Sequence, residues 1–349
     1  MRRNKVALKE KIGQLLLVGF KGQAVHREDA IARSILTGRI GGVVLFDYDF
    51  QTKTHVHNIE SPSQLKQLTS TLQRFAGKTP LFIGIDYEGG YVNRLKAQYG
   101  FPKTVAAADI ATCSQEEAAH EAARMAKTLQ SVGVNLNFAP VLDVNVNAES
   151  PAIGKLGRSF SNDPLQVVRY AKLLTDAFQA AGVLCAYKHF PGHGSARGDT
   201  HKGLVDVTET WQPEELLPYK TLIPGLTHGM IMTSHVVHLG LDSAGYPASL
   251  SRAMTQDLLR EQLHFDGVVI TDDLQMQAIA DHYTTEETMR LAINAGADIL
   301  LFGNQLSKYE VDPLQLIEQI AADIAAGFIS EKRIEESYRR VMKLKEKLR

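Results

Sequence analysis

Several features that mark special classes of protein are scarce or missing in this chain of 349 residues. Its two cysteines, Cys113 and Cys185, are too few for a disulfide framework and show no metal-site spacing. A formal net charge of -1 gives no reason to expect nucleic acid or an anionic membrane surface as partner. The apolar run at residues 14–20 has only the length of a strand, and no other segment is long enough to span a bilayer. The composition is that of an ordinary globular protein.

The start of the chain, Met1–Lys5, is basic, as in a secretory signal peptide, but the pattern does not continue. Lys9, Glu10 and Lys11 interrupt the apolar residues that follow, and no small-residue cleavage site comes after them. We therefore expect a cytoplasmic protein without membrane attachment. Cys185 lies within an apolar run, which predicts a buried and unreactive thiol.

Short apolar runs rich in β-branched residues alternate with longer amphipathic stretches along the whole chain. Continuously apolar runs of strand length are typical of strands covered on both faces, and hence of a parallel sheet. The eight runs are Gln14–Phe20, Gly41–Phe46, Leu81–Ile85, Val134–Val141, Val183–Tyr187, Met230–Thr233, Gly267–Thr271 and Ala297–Phe302.

Helix-like segments lie between these runs. Ser114 with Glu117 fits a capping box, and Asp163 before Pro164 fits the start of another helix. The clearest segments are Ser61–Phe75, Ser114–Val132, Pro164–Ala181 and Ser249–Leu263.

Eight strand–helix units predict an α/β fold, a single (β/α)8 TIM-type barrel that forms one catalytic domain over residues 1–349. The region from about 312 to 349 predicts C-terminal helices that divide near Gly327, with Ser330 as a helix cap. No linker or change of composition marks a second domain. An open doubly wound sheet is the alternative architecture, although it rarely uses this many strands in strict alternation.

The segment from Lys188 to His201 is the most informative part of the sequence. It follows a strand-like run and gathers a lysine, an aspartate and three histidines. Ionisable groups at the end of a buried strand are costly unless they are paired or used. Asp199 and His201 form a ready acid/base unit, because a carboxylate orients an imidazole and stabilises its charged form. The segment is predicted to be an active-site loop.

Other ionisable residues follow the third, fourth, sixth and seventh runs. In a (β/α)8 barrel these positions meet at the carboxyl ends of the strands, where active sites lie. Together with the fifth run, five strand ends therefore contribute acids, bases and cations to one face. The residues in question are Asp86, Arg94, Arg158, His235, Asp272 and Asp273.

Each of these residues has an ordinary alternative role. An aspartate after a strand commonly caps the next helix, and two adjacent aspartates allow both roles. We expect Asp272 to face the pocket and Asp273 to support it from behind. Arg94 and Arg158 alone would suit surface ion pairs, and His193 between two glycines would suit hydrogen bonding within its loop. The functional hypothesis depends on the convergence of the five strand ends.

The chain resembles glycoside hydrolase family 3, and within it the bacterial single-domain β-N-acetylhexosaminidases. The block Lys-His-Phe-Pro-Gly-His-Gly with a following Asp-x-His is the most specific part of the resemblance. The blocks occur in the family's order and are Ile85–Arg94, Ala139–Val144, Gly157–Phe160, Lys188–Gly194 with Asp199–His201, and Val269–Leu274.

The resemblance implies a retaining β-N-acetylglucosaminidase with Asp272 as the nucleophile and His201 as general acid/base, partnered by Asp199. It implies a carbohydrate substrate, an N-acetylglucosaminide from peptidoglycan fragments with a 1,6-anhydro-N-acetylmuramic acid leaving group. We expect no metal and no cofactor. The residues implied to hold the sugar are Asp86, Arg94, Arg158, Lys188 and His189.

The proposed proton donor is an imidazole, whose ordinary pKa of about 6.5 lies near neutrality. Asp199 is expected to raise the pKa of His201 by favouring its charged form. Gly192, Gly194 and Gly198 predict a mobile loop, which lets His201 approach when substrate is bound.

Three positions depart from the family's pattern. Thr200 stands where serine is frequent, which is a mild change. The segment Leu45–Phe50 replaces a frequent Arg-Asn pair after the second strand, and Tyr91 replaces a basic residue. The last two changes affect the rim of the pocket and therefore the leaving-group preference.

Four other functions remain to be weighed. Family β-glucosidases usually draw their acid/base glutamate from a further C-terminal domain, and we expect no such domain in a chain of this length. Phosphorolysis stays open because a neutral imidazole repels phosphate less than a carboxylate does. A metal-dependent barrel hydrolase would place His-x-His after the first strand, whereas Val18–Lys21 offers no ligand. A non-catalytic sugar-binding barrel predicts loss of the nucleophile or of the Asp-His pair, and both are present.

Overall fold

The computed structural model describes residues 6–50, 52–55, 57–306 and 309–348. The basic start Met1–Lys5 and the last residue, Arg349, lie outside the described residues. Eight strands form the central sheet, and every pair of neighbours runs parallel. They are β1 (Leu16–Gly19), β2 (Gly42–Leu45), β3 (Phe82–Ile85), β4 (Leu136–Asn137), β5 (Leu184–Phe190), β6 (Gly229–Thr233), β7 (Val268–Thr271) and β8 (Leu300–Phe302).

The strand order follows the chain from β1 to β7, with β8 beside β1. A parallel bridge between Ile270 and Ile299 joins β7 to the start of β8, and the Thr271 N–H donates to the Ile299 carbonyl at 3.0 Å. The sheet therefore closes into the predicted (β/α)8 TIM-type barrel, and the open doubly wound alternative is wrong.

Helices cover the outside of the barrel. Residues Ala253–Gln262 wind as a π-helix, and single 3₁₀ turns occur in several connections. The α-helices are α1 (Leu8–Gly13), α2 (Ala30–Leu36), α3 (Pro62–Ala76), α4 (Ala107–Ile110), α5 (Gln115–Ser131), α6 (Pro164–Ala180), α7 (Leu217–Leu222), α8 (Gln277–Ala280), α9 (Thr285–Ala295), α10 (Pro313–Ala325) and α11 (Glu331–Lys345).

The predicted helix caps are confirmed. The Ser114 hydroxyl accepts from the Glu117 N–H while the Glu117 carboxylate accepts from the Ser114 N–H, which completes the capping box. Asp163 accepts from the Leu165 N–H at 2.9 Å. Ser330 caps α11 through the Arg333 N–H at 3.2 Å, after the chain has turned at Gly327 with φ of 81°.

Two apolar layers hold the barrel together. The interior is filled by side chains such as Leu17, Phe82 and Met230, while a larger cluster packs the strands against the helices. Cys185 belongs to the outer cluster, which confirms its predicted burial, and this burial raises the pKa of its thiol to about 12. No helix within the described ranges combines the length and apolarity that a membrane crossing needs.

Three boundaries differ from the sequence prediction. β4 has two residues instead of eight, because Ala139–Val141 leaves the ladder except for a bridge from Val141 to Lys188. β5 extends beyond Tyr187 as far as Phe190, which pairs with Thr233 on β6. The predicted helix Ser249–Leu263 begins as a 3₁₀ turn and continues as the π-helix.

Candidate active site

Lys188 and His189 lie on β5 and not in the loop after it, which corrects the sequence assignment. Their polarity suggested a loop, but at the end of a barrel strand they are buried and paired. The Lys188 ammonium donates to Asp86 at 2.8 Å, and Arg94 donates to the same carboxylate at 3.3 Å. Burial alone would raise the pKa of Asp86, but these two cations hold it well below its usual range.

Glu88 forms the second half of this charge cluster. Its two oxygens receive a fork of hydrogen bonds from Arg158, at 2.8 Å from Nε and 2.7 Å from Nη2. The Lys188 ammonium is 2.6 Å from the same carboxylate. Buried charges are tolerated only when they are paired in good geometry, and this pairing meets that condition. Arg158 is therefore not the surface ion pair that its sequence position also allowed.

His189 is oriented by Asp143, a fully buried residue in the loop after β4. The His189 Nδ1 is 2.6 Å from one Asp143 oxygen, and the other oxygen accepts from the backbone N–H groups of His189 and His193. Arg158 lies 3.3 Å from the His189 Nε2 and can only donate. The network therefore assigns the proton to Nδ1 and leaves Nε2 as an acceptor.

Asp199 and His201 form a pair in the loop after β5. Asp199 caps the turn Thr200–Lys202, and its Oδ1 accepts from the His201 N–H at 3.0 Å and from the ring Nδ1 at 2.9 Å. The hydrogen bond from His201 holds the pKa of Asp199 well below its usual range. The imidazole is half-exposed, and its turn packs against α8.

Asp272 follows β7 and is partly buried. Its Oδ1 accepts from the Asp273 N–H at 2.8 Å. Burial alone would raise the pKa of Asp272, but His235, His189 and His201 lower it below its usual value. Burial would likewise lower the pKa of His201, whereas Asp199 and the charge of Asp272 raise it. The negative charge of Asp272 thus favours the charged form of His201, and both residues follow strands at the carboxyl end of the barrel.

Asp273 is buried and bonded to the backbone, which is compatible with the supporting role expected from the sequence. Its Oδ1 accepts from the N–H groups of Gln275 and Gly303, both at 3.0 Å, and so joins the β7 loop to the end of β8. Burial raises the pKa of Asp273 to about 6. The His235 Nε2 donates to the Asp273 carbonyl at 2.9 Å, which fixes the backbone next to Asp272.

All the predicted site residues lie at the carboxyl ends of β3, β4, β5, β6 and β7 or in the loops that follow. The prediction omitted Glu88 and Asp143, although both stood inside the blocks that carried the resemblance. A buried arginine and a buried histidine each require an acidic partner, and this requirement could have identified them. No group of three or more potential metal ligands occurs within the described part of the chain.

The departures from the family pattern also lie at this face. Asp47, after β2, is fully buried, with the Lys96 ammonium at 2.6 Å and the Tyr99 hydroxyl at 3.1 Å. Asp47 lies 4.0 Å from Arg94, which links it to the Asp86 pair. Tyr91, in the loop after β3, is 75% exposed.

A (β/α)8 barrel with acids, bases and cations converging at the carboxyl ends of its strands is the arrangement in which barrel enzymes place their active sites. The family model described as "Glycosyl hydrolase family 3 N terminal domain" matches residues 7–344. The chain belongs to glycoside hydrolase family 3.

Individual relatives agree with this assignment. The chain is 34% identical over 335 residues to "Beta-hexosaminidase A" of Pseudoalteromonas piscicida, covering 88% of this chain and 54% of that protein. It is 36% identical over 281 residues to a "Beta-hexosaminidase" of Tolumonas auensis, covering 79% of each. The solved β-N-acetylglucosaminidase of Paenibacillus sp. str. FPU-7 superposes with a TM-score of 0.88 at 33% identity, covering 99% of this chain and 63% of that one. The chain thus spans about half the length of the first relative.

Proposed function

We propose that this protein is a retaining β-N-acetylglucosaminidase that releases terminal β-linked N-acetylglucosamine through a covalent glycosyl-enzyme. One observation carries the proposal: Asp272 after β7 and the bonded Asp199–His201 pair after β5 lie at the same end of the barrel, and the His201 turn packs against α8, the helix that follows Asp272. The two chemical groups that a retaining glycosidase needs are a carboxylate nucleophile and a proton donor. The hexosaminidase and N-acetylglucosaminidase names of the relatives support the sugar specificity.

Asp272 is assigned as the nucleophile. Its lowered pKa keeps the carboxylate ionised at neutral pH, as attack on the anomeric carbon requires. The hydrogen bond from the Asp273 N–H leaves the second carboxylate oxygen available for the sugar.

His201 is assigned as the general acid/base, with Asp199 as its orienting partner. In the first step the imidazolium donates its Nε2 proton to the departing glycosidic oxygen while Asp272 forms the bond to the anomeric carbon. In the second step the neutral imidazole removes a proton from water, which attacks the anomeric carbon and releases Asp272. Asp199 holds Nδ1–H in both steps and so keeps Nε2 available for proton transfer.

The charge cluster is assigned to sugar binding. The Lys188, Arg158 and Arg94 groups supply donors for hydroxyl and N-acetyl oxygens, while Asp86 supplies an acceptor and His189 a ring edge. We propose peptidoglycan-derived N-acetylglucosaminyl-1,6-anhydro-N-acetylmuramic acid fragments as the substrates. We further propose that residues 1–349 act as one catalytic barrel, and the cytoplasmic location stays a prediction from the sequence.

Trapping the glycosyl-enzyme tests the nucleophile directly. His201→Ala is incubated with 2,4-dinitrophenyl β-N-acetylglucosaminide, whose leaving group needs no proton, and the protein is examined by intact mass and peptide mapping. The expected result is accumulation of one N-acetylglucosaminyl group on Asp272, because deglycosylation lacks its base. Asp272→Asn should show no label and no turnover. A label on another residue, or labelling of Asp272→Asn, would refute the mechanism.

Phosphorolysis is a second outcome for the same intermediate. The half-exposed base is an imidazole, which is neutral when it activates the acceptor and does not repel phosphate as a carboxylate would. Product analysis with and without inorganic phosphate distinguishes the two activities. Free N-acetylglucosamine in both reactions indicates a hydrolase, whereas N-acetylglucosamine 1-phosphate formed only with phosphate indicates a phosphorylase.

A further inference from the structure

The loop that carries His201 is built around a buried acid that the mechanism above does not use. We define the β5 loop as residues 191–204, which lead from the end of β5 to the short strand Val205–Asp206. The loop and its neighbours enclose a small apolar cluster of their own, to which Trp211 also packs. The buried members of that cluster are Ala196, Val205, Val207 and Val236. The loop is therefore a folded unit, and its orientation depends on how its first residues are held in place.

Glu215 fixes the start of the β5 loop in place. Its side chain is fully buried, and its Oε2 accepts from the Gly194 N–H at 3.0 Å while Oε1 accepts from the Gln212 N–H at 3.2 Å. Gly192 packs closely against it, since a Cβ at that position would lie 2.8 Å from the Glu215 Cβ. One carboxylate thus joins the start of the β5 loop to the helical turn that follows the loop.

A second contact joins the start of the β5 loop to the segment just before that helical turn. The Trp211 indole, four residues before Glu215, donates to the carbonyl of Pro191 at 3.2 Å, and Pro191 is the first residue of the loop. In addition, Asn147 donates its N–H to the Gly194 carbonyl at 3.0 Å. Both polar groups of the Gly194 backbone are therefore fixed, seven residues before His201.

An acid is an expensive choice at this place. None of the ion pairs among the described residues involves Glu215, and burial raises the pKa of its carboxyl to about 7. The buried charge of Asp143 acts in the same direction. The ring of His193 offers no compensating charge, because burial lowers its pKa to about 4. A carboxylate accepts two backbone bonds at once, one on each oxygen, which an amide of the same shape cannot do.

We propose that Glu215 is a positioning residue for the proton-transfer step. By fixing the start of the β5 loop, it sets the distance from His201 to the leaving-group oxygen. The inference rests on the proposed function, because it gives Glu215 no role except through His201. Misplacing a catalytic group by about 1 Å can cost about 10²-fold in rate. Loss of Glu215 should therefore slow substrates that need protonation and spare those that do not.

The test compares leaving groups. The rate constant kcat/KM is measured for a series of aryl β-N-acetylglucosaminides whose leaving groups range from 2,4-dinitrophenol to unactivated phenol. The proteins compared are the wild type, Glu215→Ala, Glu215→Gln, His201→Ala and the double variant Glu215→Ala/His201→Ala. Glu215→Ala should lose about 10²-fold on the phenyl substrate and less than about threefold on the dinitrophenyl substrate. Glu215→Gln should fall between, because its amide carbonyl retains one of the two bonds. In the double variant, Glu215→Ala should add no further loss on the phenyl substrate to the loss caused by His201→Ala.

Glu117→Ala is the matched control. Like Glu215, Glu117 accepts a backbone N–H three residues before it, that of Ser114 at the start of α5 on the outside of the barrel, so its loss weakens a helix cap without touching the β5 loop. It should leave the dependence on leaving group unchanged. Should Glu215→Ala not fold, Glu215→Gln decides the question by the same comparison.

Equal losses of the Glu215 variants on all leaving groups, or losses that add to those of His201→Ala, would overturn the inference and leave Glu215 a purely structural residue. A His201→Ala variant that itself shows no dependence on leaving group would instead refute the proposed function. The two failures are therefore distinguishable.

Discussion

The charges of individual residues at the carboxyl end of the barrel compensate one another. Asp86 and Glu88 face three cations, with Lys188 shared between the two acids. Each charge is buried or partly buried, and an uncompensated buried charge costs several kcal/mol. Because every charge has a partner, the cluster can keep its hydrogen-bond donors in place for a sugar before any substrate has bound. This preorganisation reduces the rearrangement that binding would require.

The same logic applies to Asp199 and gives a pH-dependent prediction. Burial lowers and Asp199 raises the pKa of His201, and the net effect is an increase above the ordinary value. Replacing Asp199 by Asn keeps an acceptor for Nδ1–H but removes the negative charge that stabilises the imidazolium. The pKa of His201 should fall, so the basic limb of the kcat/KM profile should move to lower pH. Activity of Asp199→Asn should drop about 10²-fold at about pH 8 and less at about pH 6.

The measurement is a pH profile of kcat/KM on an unactivated aryl substrate. Asp206→Asn is a suitable control, since Asp206 is an exposed acid that follows the same loop and bonds Thr208. Its basic limb should coincide with that of the wild type. A limb that stays in place in Asp199→Asn would show that another group controls it.

Among the elements, α11 is held to β8 and the π-helix through one buried acid. Asp298, just before β8, accepts from Arg333 at 2.7 Å and Ser337 at 2.6 Å on α11. Arg260 from the π-helix binds its other oxygen at 2.7 Å. Burial alone would raise the pKa of Asp298, but the arginines lower it to about 2. One side chain therefore connects β8, the π-helix and α11.

Asp298→Asn should consequently destabilise the fold by about 3–5 kcal/mol, because buried arginines lose their counter-charge. Urea unfolding followed by circular dichroism measures this change. Asp266→Asn is the matched control, because Asp266 pairs with Arg340 of the same helix but is 79% exposed. It should cost at most about 1 kcal/mol. Similar losses in the two variants would contradict the anchoring role of Asp298.

Over the whole molecule, the amino-terminal end of the barrel is closed by α11. Lys345 is buried there, where its ammonium donates to Gln14 and to the Gly41 carbonyl, both at 2.7 Å, and lies 4.7 Å from the Phe82 ring. Burial lowers the pKa of Lys345 to about 7. The end of the barrel opposite the site therefore contains a lysine that gives up its charge easily.

This burial makes stability depend on pH. Between pH 7 and 10.5 the unfolded chain keeps the Lys345 proton while the folded chain releases it, so stability should rise with pH across that window. Below about pH 7 both states are protonated and the full cost of the buried charge is present. In Lys345→Met this contribution should disappear, and the difference from wild type should change by at most about 1.4 kcal/mol per pH unit.

Urea titrations from about pH 6 to about pH 10 on both proteins measure the difference. Lys343→Met, on the exposed face of the same helix, should follow the wild type throughout. A constant difference between wild type and Lys345→Met over the window would show that Lys345 keeps its charge in the fold.

Much of the secondary structure could be predicted because its causes are local. Ser114, Asp163 and Ser330 each cap a helix through hydrogen bonds to residues two or three positions away. The end of β5 could not be predicted in this way, since Lys188 and His189 are strand residues only because acids that follow β3 and β4 neutralise or orient them. Alternation of polar and apolar residues carries no information about such distant partners.

The sequence by itself determined the order of strands and helices, and hence the barrel, because apolar periodicity and capping act over a few neighbouring residues. It also marked the acids, bases and cations at five strand ends. Only the tertiary structure decided which of them pair: Glu88 with Arg158, Asp143 with His189, and Glu215 with Gly194. The physical reason is that a buried charge or N–H is satisfied by whatever lies nearest in space, and closing the barrel brings together groups as distant along the chain as Asp86 and Lys188, 102 positions apart.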